Sequence, residues 1–221
     1  MEEIARGREA IVYALDSQRV VRRAIDDRPV GKTVELTEYL RARGYPVPQV
    51  FEVRGRDVVM ERIDGPDLLS YLARDPSQLE FAFRTLGELF NALAEIPAPQ
   101  WLSPLPIDPR DVDLASSPSS IVHLDFHPGN VILGADGPRV IDWTNAHAAP
   151  REVDVSFTDL VLRTAPEAAG FPRDLLEAGL AVLAETTGVD PHLGRATACG
   201  FRLRDPSLSE GEREVVESFL P

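Results

Sequence analysis

The chain has 221 residues, 43% of them hydrophobic, one cysteine, and a formal net charge of −13. That length suffices for one domain or two small lobes with a sizeable core, and the acidity argues against nucleic acid as a main partner, because such binding needs a basic patch to displace counterions from phosphates. No apolar stretch reaches membrane-crossing length, Met1-Glu-Glu-Ile-Ala lacks the basic and apolar regions of a signal peptide, and Cys199 has no internal disulfide partner, so no membrane association and a cytoplasmic location are expected.

In chain order, Ala10 to Leu15 and Arg19 to Ile25 are β-prone runs around the turn Asp16-Ser-Gln18, and Arg6-Gly-Arg-Glu9 precedes them. Thr33 to Arg43 sets Leu36 and Leu40 four apart, which predicts a helix stopped by Gly44. Gln49 to Val53 and Asp57 to Ile63 form a second pair of predicted strands, ended by Asp64-Gly65. Asp75 and Pro76 suit the cap and first position of a helix in which Leu79, Phe83, Leu86, Phe90 and Leu93 share one buried face. Pro97 to Ser120 has little apolar periodicity and reads as a connector. Further helices are predicted at Pro172 to Thr187 and Glu210 to Leu220.

The chemistry concentrates in Ile121 to Leu133, IVHLDFHPGNVIL, and in Arg139 to Trp143, RVIDW. Pro128-Gly129 breaks regular structure, so Asp125 to Asn130 should lie on a loop. Val131 to Leu133 and Val140-Ile141 read as a hairpin turning at Asp136-Gly137, which would bring Asp142 back beside Asn130. A carboxylate and an amide oxygen are the hard ligands that magnesium prefers, with further coordination positions left to water and phosphate. Asp125 is then free to face an acceptor hydroxyl. Two other readings use the same residues. His123, Asp125 and His127 alternate, and on a strand they would share one face as transition-metal ligands; alternatively, Asp and Asn only cap a structural loop.

The string HLDFHPGNVIL followed by VIDW resembles the catalytic loop and downstream metal-binding Asp of the protein-kinase-like superfamily, and most nearly the aminoglycoside phosphotransferase family of small-molecule kinases. Leu124 stands where that family usually has glycine. The resemblance covers roughly residues 5 to 165 and implies an α/β (α+β) two-lobed protein-kinase-like fold. A small β-rich nucleotide-binding lobe would span 1–63, and a mainly helical catalytic and acceptor-binding lobe 64–221.

The resemblance also implies ATP and magnesium as cofactors and transfer of the γ-phosphoryl group to a hydroxyl of a small molecule, for which the acidic chain would suit a cationic acceptor. On it, Asp125 is the catalytic residue, and Asn130 and Asp142 hold the metal. Gly7 would let a loop approach phosphate. Arg22, standing where the family has a third-strand lysine, would contact phosphate through its fork of donors and pair with Glu35, or with Glu38, on the next helix. The Glu61 carbonyl and Ile63 amide would bond adenine, with Met60 beside it, and Asp154 would brace the catalytic region. The short chain also admits a small atypical protein kinase or kinase-like ATPase, and the arginine at position 22 admits a catalytically silent nucleotide-binding scaffold.

Overall fold

The structure, a computed structural model, describes residues 1–7, 9–25, 29–114, 116–164 and 172–221. Its first elements are β1 (Glu2–Arg6), β2 (Ala10–Ala14), β3 (Arg19–Ala24), α1 (Gly31–Arg41), β4 (Val50–Arg54) and β5 (Asp57–Glu61). Next come α2 (Leu68–Arg74), α3 (Leu79–Ala94), β6 (Ser120–Val122), β7 (Val131–Gly134), β8 (Gly137–Val140) and β9 (His147–Ala149), and then α4 (Arg151–Thr164), α5 (Arg173–Thr187), α6 (Arg195–Arg202) and α7 (Glu210–Ser218). Two compact units divide them: Met1–Asp67 with Val131–Thr144, and Leu68–Asn130 with Asn145–Pro221. The β7–β8 hairpin thus clusters with the N-terminal segment, whereas the boundary expected at residue 63 places it in the second lobe.

In the first unit, five antiparallel strands run in the order β1-β2-β3-β5-β4. Valines at 20, 21, 58 and 59 are buried, as are Leu36 and Leu40 of α1, each such side chain contributing roughly 1.5–3 kcal/mol. The helix predicted over Thr33 to Arg43 spans Gly31–Arg41, and Gly44 at φ 79 closes the turn that follows it. β1 was not legible in the sequence because all of its residues are exposed and no alternation marks it; pairing with β2 makes it a strand. The hairpin turns at Ala135-Asp136, one residue earlier than the expected Asp136-Gly137, and Gly137 opens β8. It is tied to the unit by Leu133 N–H donating to the Pro66 carbonyl (2.9 Å), by Val140 N–H donating to the Pro46 carbonyl (2.8 Å), and by Trp143 meeting Tyr45 edge-on. At Gly65 only glycine fits, since a Cβ there would lie 1.9 Å from the Leu133 carbonyl oxygen.

The second unit is mainly helical. α3 buries Phe83, Leu86, Phe90 and Leu93, as its periodicity predicts. Asp75 does accept from the Ser77 amide, but the turn it caps is a 3₁₀ turn over Pro76–Gln78, and the α-helix begins at Leu79. α5 lies against α3, where the Asn91 amide donates to the Thr186 carbonyl (2.8 Å). A larger core gathers Val122 and Leu124 with Val153, Phe157 and Leu160 of α4, Cys199 of α6 and Val216 of α7. β6 pairs with β9, Ser120 opposite Ala149 and Val122 opposite His147, so the segment entering the motif is anchored on that core. α2 and α6 are too short for a periodic signal of their own.

Candidate functional site

In the second unit the motif loop leaves β6 inside the core and is held from beneath by the first turns of α4. Asp154 is 1% exposed and accepts the backbone N–H groups of His123 (2.8 Å, to Oδ2) and Leu124 (2.7 Å, to Oδ1). Burial pushes its carboxyl up to about 7, although the two N–H donors pull the other way. One helical turn on, Thr158 donates its hydroxyl to the Phe126 carbonyl (2.8 Å). Leu124, fully buried, takes φ 57, a left-handed backbone that glycine adopts easily and leucine does not. The conformation suited to glycine is thus retained by a leucine whose amide is held by Asp154 and whose side chain is packed in the core.

Beyond Leu124 the loop is bonded to itself. The Asn130 side-chain N–H group donates to the Asp125 carbonyl (2.8 Å) and to Asp125 Oδ2 (3.1 Å), which turns the Asn130 amide oxygen away from these contacts. Gly129 N–H donates to His127 Nδ1 (3.1 Å), and His127 Nε2 lies 3.4 Å from the Asn130 side-chain nitrogen and 3.6 Å from Asp125 Oδ1. His123 is buried and stacks on Phe126. Among the described residues no three His, Cys, Asp or Glu side chains are grouped to hold a metal ion, so the alternating His123, Asp125 and His127 do not form the triad that a strand would have made. The residues from 123 to 130 are a bonded loop, where period-two alternation does not apply.

In the first unit, alternation along β3 separates the two arginines. Arg23 forms a two-pronged pair with Asp57 (2.7 and 2.6 Å). Arg22 turns to the other face, where its Nη2 donates to Asp142 Oδ1 (2.9 Å) and to Thr144 Oγ1 (3.1 Å). The expected pair of Arg22 with Glu35 is not formed: Glu35 points outward on α1, and the guanidinium finds its carboxylate on the hairpin instead. The Thr144 hydroxyl also donates to Asp142 Oδ1 (2.9 Å), and Asp142 is left-handed at φ 64. Arg22, Asp142 and Met60 line one hollow together with Val34, Val50 and Val58.

The remaining candidates also lie in this unit. Gly7 is exposed after β1 and donates to the Ala10 carbonyl (2.9 Å); Arg8 lies outside the described residues. β5 ends at Glu61, whose amide and carboxylate both bond to the backbone of Gln49. Among the described residues the Ile63 amide donates to no backbone carbonyl. Thr144 and Thr158 were not singled out from the sequence. Thr158 had a signal, four residues after Asp154 on one helix; Thr144, in a 3₁₀ turn, had none.

Residues 100–191 match the phosphotransferase enzyme family. The matched stretch takes in the motif at residues 121 to 143 that carries the resemblance. Among solved structures, an aminoglycoside phosphotransferase with ADP bound superposes with a TM-score of 0.64 at 14% identity over 98% of this chain and 90% of its own. Another, in complex with gentamicin, gives 0.68 at 14% identity over 98% and 88%. A choline/ethanolamine kinase family protein from Mesorhizobium loti gives 0.65 at 12% identity over 99% and 87%. No curated protein sequence matches. The chain therefore has the phosphotransferase fold, kinase-like and of the mixed α+β class. Among the described residues no helix is long and apolar enough to cross a membrane.

Proposed function

We propose that the protein is an ATP- and magnesium-dependent phosphotransferase that moves the γ-phosphoryl group to a hydroxyl of a small molecule. The observation that carries this reading is the Asp125–Asn130 pairing, in a loop braced by Asp154, on a phosphotransferase fold. In this reading Asp125 orients the acceptor hydroxyl and takes its proton while the acceptor oxygen bonds to the γ-phosphorus. The bond from that phosphorus to the bridging oxygen breaks, and ADP leaves with the electron pair. Most of the rate comes from positioning.

Asn130 and Asp142 are the residues that would hold magnesium. One amide oxygen and one carboxylate suit an ion that keeps most of its coordination for water and phosphate, and the engaged N–H group of Asn130 supports its oxygen as the ligand. Bound magnesium would neutralise charge on the phosphate oxygens. Arg22 steadies phosphate, the Gly7 turn covers it, and the Glu61 carbonyl and Ile63 amide read adenine against Met60. On this reading residues 1–63 bind nucleotide and the remainder carries the acceptor, in the cytoplasm, where ATP is at hand. The acidic chain favours a cationic acceptor.

The test is ADP release from ATP and magnesium across a panel of amino sugars, amino alcohols and neutral polyols. At least one should accelerate release, and Asp125→Asn should lower that rate by roughly 10²-fold or more while nucleotide still binds. An undiminished rate in Asp125→Asn would remove its assigned role. Absence of acceptor-dependent release throughout would favour the silent scaffold.

A further inference from the structure

The hydroxyl of Thr144 sits between the two charged groups of the first unit, accepting from Arg22 (3.1 Å) and donating to Asp142 Oδ1 (2.9 Å). Arg22 donates to that same oxygen (2.9 Å). Both contacts converge on Oδ1, so among the described residues Oδ2 is the carboxylate oxygen to which no side chain is bonded. Asp142 also has a left-handed backbone, φ 64, at a residue whose carboxylate is about one-third exposed (35%), so its direction is set by these bonds more than by packing.

We propose that Thr144 is a positioning residue that anchors Asp142 Oδ1 and so presents Oδ2 to a divalent cation; this rests on the phosphotransferase reading, which makes Asp142 a metal ligand. Arg22 cannot fill the role throughout, because the same reading draws its guanidinium to the nucleotide phosphates. Each hydrogen bond that Arg22 gives to phosphate is one that it no longer gives to Asp142. The threonine hydroxyl has no competing anion to follow. It remains on Oδ1 when Arg22 leaves, and a fixed carboxylate loses less freedom on binding the ion.

The experiment measures binding and does not depend on turnover. Manganese is the probe and ADP the nucleotide, with manganese uptake read from the relaxation of water protons. Thr144→Val removes the hydroxyl at nearly constant shape and should weaken manganese binding by roughly tenfold or more, the scale typical of losing a partner that orients a metal ligand. Thr144→Ser should restore it. ADP binding in chelator and the thermal midpoint should match wild type in both, and Thr144→Ala stands in if the valine variant does not fold. Wild-type manganese affinity in Thr144→Val would overturn the proposal. So would a serine variant that fails like valine, with ADP binding in chelator and the midpoint falling together, since that is a merely structural role. If wild type bound manganese no better than Asp142→Ala, the metal assignment within the phosphotransferase reading would fail, and this proposal with it; the separate wild-type comparison tells the two failures apart.

Discussion

Leu124 and Asp142 are the residues other than glycine with a left-handed backbone among those described, and they are held in opposite ways. Such a conformation costs about 1–2 kcal/mol at a residue with a Cβ, so each needs compensation. Leu124 is compensated by the interior: its side chain is fully buried, and its amide and that of His123 are held by a buried carboxylate. Asp142 is compensated at its own side chain by Arg22 and Thr144, in a part-buried setting. The first arrangement is built into the core and stays put when ligands come and go. The second is made of bonds that a cation or a phosphate can replace, which suits a group that must exchange one partner for another.

The largest effect that tests this contrast is on stability. Asp154→Ala leaves two buried N–H groups without an acceptor, at about 1–3 kcal/mol each, so urea unfolding should show a loss of about 2–6 kcal/mol. A loss under about 1 kcal/mol would mean that Leu124 is held by packing alone.

A second test uses pH. Burial raises the Asp154 carboxyl to about 7 from an ordinary 3.8, so the folded state binds this proton more tightly than the unfolded chain. The resulting stabilisation is complete below 3.8 and is lost as pH rises through 7, since stability falls with pH wherever the folded state holds more protons. Unfolding at a series of pH values should show wild type losing stability relative to Asp154→Asn across that window. The opposite slope would show that the two N–H donors outweigh burial and keep the carboxylate ionised.

The smallest expected change in stability is at the exchangeable contact. Arg22→Ala removes a part-buried ion pair whose carboxylate keeps its bond from Thr144, so unfolding should shift by only about 1 kcal/mol, yet calorimetry should show weaker ATP binding. Arg23→Ala, which breaks the pair with Asp57 on the other face of β3, should leave ATP binding nearly unchanged. If Arg22→Ala cost as much stability as Asp154→Ala, the contrast between a built-in and an exchangeable support would be wrong.

Much of this is legible in the sequence. The apolar face of α3 and the stop at Gly44 follow from local periodicity and backbone preference, and so does the hairpin after Asn130, to within one residue at its turn. The motif named the family-like loop because its functional groups are close in sequence. Less was legible where the signal is pairing alone: β1 has no buried residue, and α2 and α6 are shorter than the window in which a helical period can be counted.

By itself the sequence determined which chemical groups the protein carries and their local order: Asp125 and Asn130 on one loop, Asp142 after a hairpin, two adjacent arginines on a strand, and a helix with one apolar face. Only the tertiary structure decided which of them are partners. Arg22 meets a carboxylate 120 residues away instead of Glu35, and Asp154 reaches back about 30 residues to hold the amides before Asp125. Thr144 bridges a pair that no local pattern announces. Periodicity and turn chemistry act over a few residues and can be read along the chain, whereas a hydrogen bond between distant segments depends on how the whole chain closes around its core.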